Sequence, residues 1–181
     1  ALNQYYTNTY MYGNYGYLIS AQGDTIDSVS YVYDTQGNLI TETFADNSVI
    51  TYGYDSFSRL AYSCNQNNER TFYYYDAVDN LIAKQTAFDS AMVDYGGTLY
   101  PEDIYTLTMY EYDLYGNLIS ESVQNNAVGA ETETYSQKIY TYDNCDRLVM
   151  AEDKIDDSHS IYAQYYYDSA GRVLREYTGL T

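Results

Sequence analysis

Chemistry in this sequence would fall to carboxylates, phenols and a few isolated residues: 26 Asp or Glu, 28 Tyr, two Cys and one His in 181 residues. His159 is the sole imidazole. Pairing it with Cys64 or Cys145 would make a thiol nucleophile, but neither cysteine carries a local signature and both lie far from His159 in sequence. No catalytic residue is therefore expected. Glycoside hydrolysis needs two carboxylates across a cleft, and in so acidic a chain proximity alone carries no information. Asp153, Asp156 and Asp157 cluster, and hard oxygen ligands suit calcium. Their spacing is not that of an EF-hand loop, so a solvated acidic turn is the simpler reading. No cofactor is expected beyond that weak calcium candidate. There is no Gly-rich phosphate loop and no zinc-ligand spacing. Tyrosine rings can stack on sugars. Tyr74 and Tyr166, at positions expected to face outward, and Tyr95 and Tyr100, in a long insertion, are the carbohydrate-binding candidates.

The formal net charge is −18 and the isoelectric point about 4.1. Nucleic-acid backbone binding needs a basic surface and is excluded as an expectation, as is adhesion to anionic membranes. Such a charge favours solubility and mutual repulsion of copies. No apolar run is long enough for a membrane-spanning helix, and the first residues do not read as a signal peptide. Cys64 and Cys145 sit in dissimilar sequence contexts and are expected to be free thiols.

What must position all these groups is a repeat. Versions of Tyr-x-Tyr-Asp-x-x-Gly-Asn/Arg-Leu begin at Tyr10, Tyr31, Tyr52, Tyr73, Tyr110, Tyr140 and Tyr165. The first three intervals are each 21 residues and the later ones are longer. Tyr-x-Tyr reads as a strand end. Asp-x-x-Gly reads as a type I turn, with the Asp carboxylate accepting amide hydrogen bonds inside it. Asp34, Asp55, Asp76, Asp113, Asp143 and Asp168 are the expected turn caps. Gly16, Gly37, Gly116 and Gly171 are the glycines at the left-handed position, held elsewhere by Ser58, Asp79 and Asp146, with Ser58 the poorest fit. The copy at Tyr10 is degenerate, with Gly13 in place of Asp.

This turn pairs Tyr33 with Leu39, Tyr54 with Leu60 and Tyr75 with Leu81, giving one continuous packed face with Tyr112, Tyr142 and Tyr167. The residue after the leucine is usually apolar too (Ile40, Ile82, Ile119, Val149). Either the strand twists there or both faces are partly covered. Turn signals such as Ala45-Asp46-Asn47-Ser48 and Asn65-Gln66-Asn67-Asn68 mark the returning connections. The expected fold is all-β. About seven antiparallel hairpins in one array over residues 1–181 form a long curved or spiralling sheet, interrupted by an insertion at about 88–103.

The motif and its period resemble the Rhs or YD-repeat family over roughly Tyr10 to Glu176, with Tyr165-Tyr166-Tyr167-Asp168-Ser169-Ala170-Gly171-Arg172-Val173-Leu174 close to the family pattern. The resemblance implies β-hairpins that spiral into a hollow shell, found in secreted or cell-surface bacterial proteins, often polymorphic toxins, and in teneurins. It implies a non-catalytic structural or interaction segment whose partners are neighbouring repeats or further copies of itself. The repeats are few for a closed shell. A carbohydrate-binding module using exposed tyrosines is the alternative, with a glycan as partner. Rival cell-wall repeats of similar length lean on Trp, which this chain lacks.

Overall fold

The computed structural model describes residues 5–87, 105–126, 133–156 and 158–181. Among them there is no helix; fourteen antiparallel strands follow one another in simple chain order in a sheet. The chain divides into two compact units, residues 1–72 and 73–181.

The first unit holds β1 (Asn8–Tyr12), β2 (Leu18–Gly23), β3 (Val29–Tyr33), β4 (Leu39–Phe44), β5 (Val49–Tyr54), β6 (Leu60–Cys64) and the start of β7 (Arg70–Tyr75). The second holds the end of β7, then β8 (Leu81–Ala87), β9 (Tyr105–Tyr112), β10 (Leu118–Asn126), β11 (Glu133–Tyr142), β12 (Leu148–Lys154), β13 (Ser160–Tyr167) and β14 (Val173–Leu180).

The pairings follow the tyrosine–leucine rule: Tyr12 opposite Leu18, Tyr33 opposite Leu39, Tyr54 opposite Leu60, Tyr112 opposite Leu118, Tyr142 opposite Leu148 and Tyr167 opposite Val173. In every one of these hairpins the register slips by one residue just beyond that pair. Val32 faces Thr41, so Ile40 has no partner; Glu111 faces Ser120 and Thr141 faces Met150, so Ile119 and Val149 are likewise skipped. The slip is a β-bulge, two residues against one. It resolves why two apolar residues stand in a row. The extra residue shifts the alternation of faces by one, so it calls for no second covered layer.

There is little core. Among the described residues only Ala21, Phe72 and Ala87 are buried apolar residues, and most strand positions are half-buried. Burial comes from side chains lying along a single sheet, and tyrosine suits it because its ring packs while its hydroxyl reaches a polar partner. Gly53 serves such packing. The ring of Tyr62, its cross-strand partner, lies where a Cβ at 53 would be, and Tyr62 in turn meets Phe72 with ring centroids 6.3 Å apart.

Candidate functional site

The constellation that recurs is the tyrosine–aspartate turn. In the hairpin of β3 and β4, the Gly37 N–H donates to the Asp34 carbonyl (3.2 Å) and the Asp34 N–H to the Asn38 carbonyl (2.9 Å), with Gly37 at φ +92°. This is a type I turn closed by one left-handed residue. Asp34 Oδ1 accepts the backbone N–H groups of Gln36 (2.9 Å) and Asn38 (2.8 Å), and Oδ2 accepts Asn38 Nδ2 (2.9 Å). Asp55 does the same with Phe57 N–H, Arg59 N–H and Arg59 Nε, at 2.8, 3.0 and 2.7 Å. Asp76, Asp113, Asp143 and Asp168 repeat the set. Asn and Arg interchange after the left-handed position because each presents side-chain N–H to the same carboxylate oxygen.

These bonds favour the charged carboxylate. The side-chain bond from Asn38 holds Asp34 below its ordinary value, as Asn117 does for Asp113 and Arg147 for Asp143. For Asp168 the backbone N–H of Arg172 leads, followed by its side chain.

The tyrosine before each Asp performs a second task. The Tyr33 hydroxyl donates to the Leu18 carbonyl (3.0 Å), Tyr54 to Leu39 (2.9 Å), Tyr112 to Leu81 (3.0 Å), Tyr142 to Leu118 (2.9 Å) and Tyr167 to Leu148 (2.7 Å). Each bond ties one hairpin to the preceding one, and the acceptors Leu18, Leu39, Leu118 and Leu148 sit at a bulge, where the ladder is locally disrupted. Burial, the leading cause, raises the phenol of Tyr33, Tyr54, Tyr112 and Tyr142 above its ordinary value, so these groups remain donors. The turns also touch sideways. Asn117 Nδ2 donates to Asp146 Oδ1 (3.0 Å) and Arg147 Nη1 to the Asp168 carbonyl (3.3 Å), with the Arg147 guanidinium 4.7 Å from the centre of the Tyr167 ring.

The first hairpin departs in a correlated way. Gly13 replaces the Asp and Tyr17 the Asn or Arg, yet the backbone bonds Gly13 N–H to Tyr17 carbonyl (2.8 Å) and Gly16 N–H to Gly13 carbonyl (3.0 Å) persist. Tyr17 stacks on Tyr33, centroids 4.9 Å apart, taking the place over the next tyrosine that Arg147 takes over Tyr167. A cleft of about 730 Å³ opens beside it, lined by Tyr15, Tyr17, Tyr31, Tyr33 and Gly13. Sequence reading missed this role for Tyr17, although its position after Gly16 signals it. It also missed that Asn65 copies the cap: Asn65 Oδ1 accepts Asn67 N–H (2.9 Å) and Glu69 N–H (3.0 Å) in a returning turn.

The expected outward position of Tyr74 needs correcting. It is half-buried, and its hydroxyl donates to Oε1 of the buried Gln85 on β8 (3.1 Å). Tyr166 is 46% exposed and meets Tyr177 edge-to-face at 5.7 Å. With Tyr162, Gln164 and Arg175 they line a cleft of about 390 Å³. Tyr95, Tyr100 and the insertion that holds them lie outside the described residues, as does Asp157. Asp153 is not in the acidic loop; it belongs to β12, opposite Lys138 and Ile161. Asp156 accepts Ser158 N–H (2.7 Å) and contacts His159 Nδ1 (2.9 Å). Among the described residues no three His, Cys, Asp or Glu side chains converge as a metal site would require. Cys64 on β6 and Cys145 in the Asp143 turn are free thiols.

Residues 33–63 match the RHS Repeat family model. No curated protein matches the sequence. Among solved structures, a mutant of the Photorhabdus luminescens Tc holotoxin pore aligns with 97% of this chain and 9% of its own, at 18% identity and TM-score 0.68. The crystal structures of TcdB2-TccC3-TEV and of TcdB2-TccC3 without its hypervariable C-terminal region align over the same shares, at 18% identity and TM-score 0.70. The likeness is one of fold, and this chain spans about a tenth of the length of those chains.

Proposed function

We propose that this chain, whose residues 33–63 match the RHS Repeat family model, is a non-catalytic structural segment of a secreted protein, one stretch of a repeat wall of the kind that encloses a toxin. The observation that supports this most is the tyrosine clamp. In five hairpins the side chain that defines the motif is committed to the backbone of the preceding hairpin, which leaves it no reacting group to offer. The Asp carboxylates are likewise occupied by their own turns. The motif residues hold repeats to one another, and any partner meets the surface between them. The Tc toxin structures support the fold of such a wall, and its place in a secreted protein follows from that likeness as a proposal.

A second reading, carbohydrate binding, is favoured by one feature: the cleft lined by Tyr162, Tyr166 and Tyr177 sets tyrosine rings beside the hydrogen-bonding side chains of Arg175 and Gln164. The test is a glycan array and a hydrolase substrate panel run on the purified chain beside its Tyr54→Phe and Tyr142→Phe variants. The structural reading expects neither binding nor turnover, and a loss of stability in both variants. Glycan binding abolished by Tyr166→Ala would establish the second reading. Turnover of any substrate would overturn the first.

A further inference from the structure

Two seams of the sheet carry the same cleft. Between the first and second motif turns it is the cleft of about 730 Å³ that holds Tyr15, Ile19, Tyr31 and Tyr33. Between the fifth and sixth, a cleft of about 410 Å³ is lined by Tyr115, Ile119, Tyr140 and Tyr142, which stand at the same places in their repeats. Of the seven motif turns, only these two leading turns carry tyrosine at the third position. The second cleft lies where β10 meets β11, with β9 and β12 on either side. The cleft is thus a feature of a seam between hairpins, and no residue of β1 lines the first one.

The two clefts differ in their polar groups. In the second, Asp113 Oδ1 accepts the backbone N–H groups of Tyr115 (2.8 Å) and Asn117 (2.9 Å). In the first, Gly13 stands at the aspartate's place, and among the described residues the N–H groups of Tyr15 and Tyr17 have no acceptor. The turn is closed by the same two backbone bonds as the others, so these N–H groups converge on one point as they do around Asp113. Asn65 shows that such a point takes a neutral amide oxygen as well as a carboxylate. Tyr17 forms a fixed wall beside it: its ring stacks on Tyr33 with the planes 22° apart, and it lies against Gly37, where a Cβ would run into it. Where one turn touches the next it sends a side-chain donor, Asn117 to Asp146 and Arg147 to the Asp168 carbonyl. A further hairpin beside β1 built on that pattern would bring the first turn another donor and no acceptor.

We propose that the first cleft binds a small aromatic amide. Its carbonyl oxygen takes the aspartate's place between the Tyr15 and Tyr17 N–H groups, and its ring lies against the tyrosines. Charge selects the amide. Among the described residues no Lys or Arg lines the cleft, whereas Asp34 does, and the chain carries a formal net charge of −18. A neutral oxygen therefore meets no repulsion where a carboxylate would. The walls select the ring. Tyrosine faces favour offset stacking with a second aromatic ring, and flat groups already lie over motif tyrosines, Tyr17 over Tyr33 and the Arg147 guanidinium over Tyr167. The volume is that of a small-molecule site. Binding here leaves the clamp intact, since the Tyr33 hydroxyl stays on the Leu18 carbonyl. The site is separate from the cleft of Tyr166, and it adds a ligand to the repeat wall without making it an enzyme.

The test follows the Tyr15 and Tyr17 amide signals of the nitrogen-labelled chain by NMR as benzamide is added. Acetamide, which lacks the ring, and benzyl alcohol, which lacks the carbonyl, are the partial probes. Benzamide moves both signals saturably, with a Kd of about 1 mM for a probe of its size, and each partial probe binds about tenfold more weakly or worse. Gly13→Asp abolishes binding, because its own carboxylate takes both N–H groups. The aspartate fits: Gly13 is not in the left-handed region, and although a Cβ there stands 3.2 Å from Ile19 Cγ2, the matching Asp113 and Ile119 share the second cleft. Tyr15→Ala, at an exposed turn tip, keeps both N–H groups and weakens binding about fivefold, the worth of one ring contact. Tyr115→Ala leaves it unchanged. Circular dichroism checks that each variant keeps the parent fold, and if Gly13→Asp does not, Tyr15→Ala and the partial probes decide. Unmoved signals, equal binding of benzyl alcohol, or full binding by Gly13→Asp overturns the inference. Benzoate binding more tightly than benzamide overturns it too, by putting a carboxylate in the site. None of these outcomes alters the effect of Tyr142→Phe on stability, so the wall reading is tested apart from this one.

Discussion

The hairpins of this chain turn at two kinds of place, and the contrast shows what the motif is for. At the tyrosine–aspartate turns the loop length never changes, from Gly13–Tyr17 to Asp168–Arg172. At the returning connections it changes freely, and residues 88–104 and 127–132, which the structure does not describe, both belong to returning connections. Backbone geometry is not the reason. The short returns Phe44–Ser48 and Asn65–Glu69 have the same pair of backbone bonds and the same left-handed residue, Asn47 at φ +66° and Asn68 at φ +61°. A turn without an aspartate at its first position makes the same backbone bonds. What differs is what the adjoining side chains reach. Five motif turns carry a tyrosine bonded to the neighbouring hairpin, and a change in loop length would misplace it. In the returning turn at Asn65 the capping bonds stay within the turn, and loop length alone costs little.

The sharpest way to break the contrast is to lengthen one turn of each kind. One residue inserted between Asn144 and Cys145 should cost more than about 2 kcal/mol, because the Tyr142 bond, the Asp143 cap and the sideways bonds of Arg147 all lose their alignment. One residue inserted between Gln66 and Asn67 disturbs the Asn65 cap but no bond of a motif tyrosine, and should cost about 1 kcal/mol. Denaturant unfolding of both variants measures the difference, and equal losses would remove the distinction. A smaller effect is expected at Gly53→Ala. The new methyl displaces the Tyr62 ring from its place against Phe72, a loss of about 1–2 kcal/mol read by thermal unfolding. Ser58→Gly should go the other way. Ser58 holds φ +61° without glycine's freedom, and relieving this should stabilise the chain by about 1 kcal/mol. A variant no more stable than the parent would show that the turn tolerates a side chain there without strain.

The smallest effect is in the pH profile of the caps. Hydrogen bonds depress Asp34, Asp113 and Asp143 below their ordinary value of 3.8 in the folded chain. A depressed folded pKa means that the unfolded chain takes up protons first as pH falls. The contribution of each cap is therefore fully present well above 3.8. It fades as pH drops through 3.8 and is gone below the depressed folded value. Asp34→Asn should keep most of the turn, as Asn65 does in its own, and should lose less stability than the parent between pH 5 and pH 2. Asp34→Ala should be less stable than either at neutral pH. Comparing variants at each pH cancels the change in overall charge.

The sequence announced the hairpins and the pairing of Tyr33 with Leu39 or Tyr54 with Leu60, because those cues are local: an aspartate, a left-handed residue and a fixed count between them. The slip after the leucine was not legible. Ile40 looks like any strand residue, and only the register against Val32 shows that it has no partner. Nor was the environment of Tyr74. Its exposure is set by Gln85 on another strand, and Tyr166, at the same place in its own repeat, stays open. The tyrosine clamp lay between these cases. The tyrosines were plainly periodic, but a bond to a backbone carbonyl one hairpin away leaves no trace in residue type at the acceptor.

The central claim is that the motif tyrosine joins hairpins, and Tyr142→Phe tests it most directly by removing one hydroxyl and nothing else. Measured by denaturant unfolding beside Tyr115→Phe, whose parent ring is exposed at a turn tip, Tyr142→Phe should lose about 1 kcal/mol while the control loses nothing. Equal stability of the two variants would contradict the account.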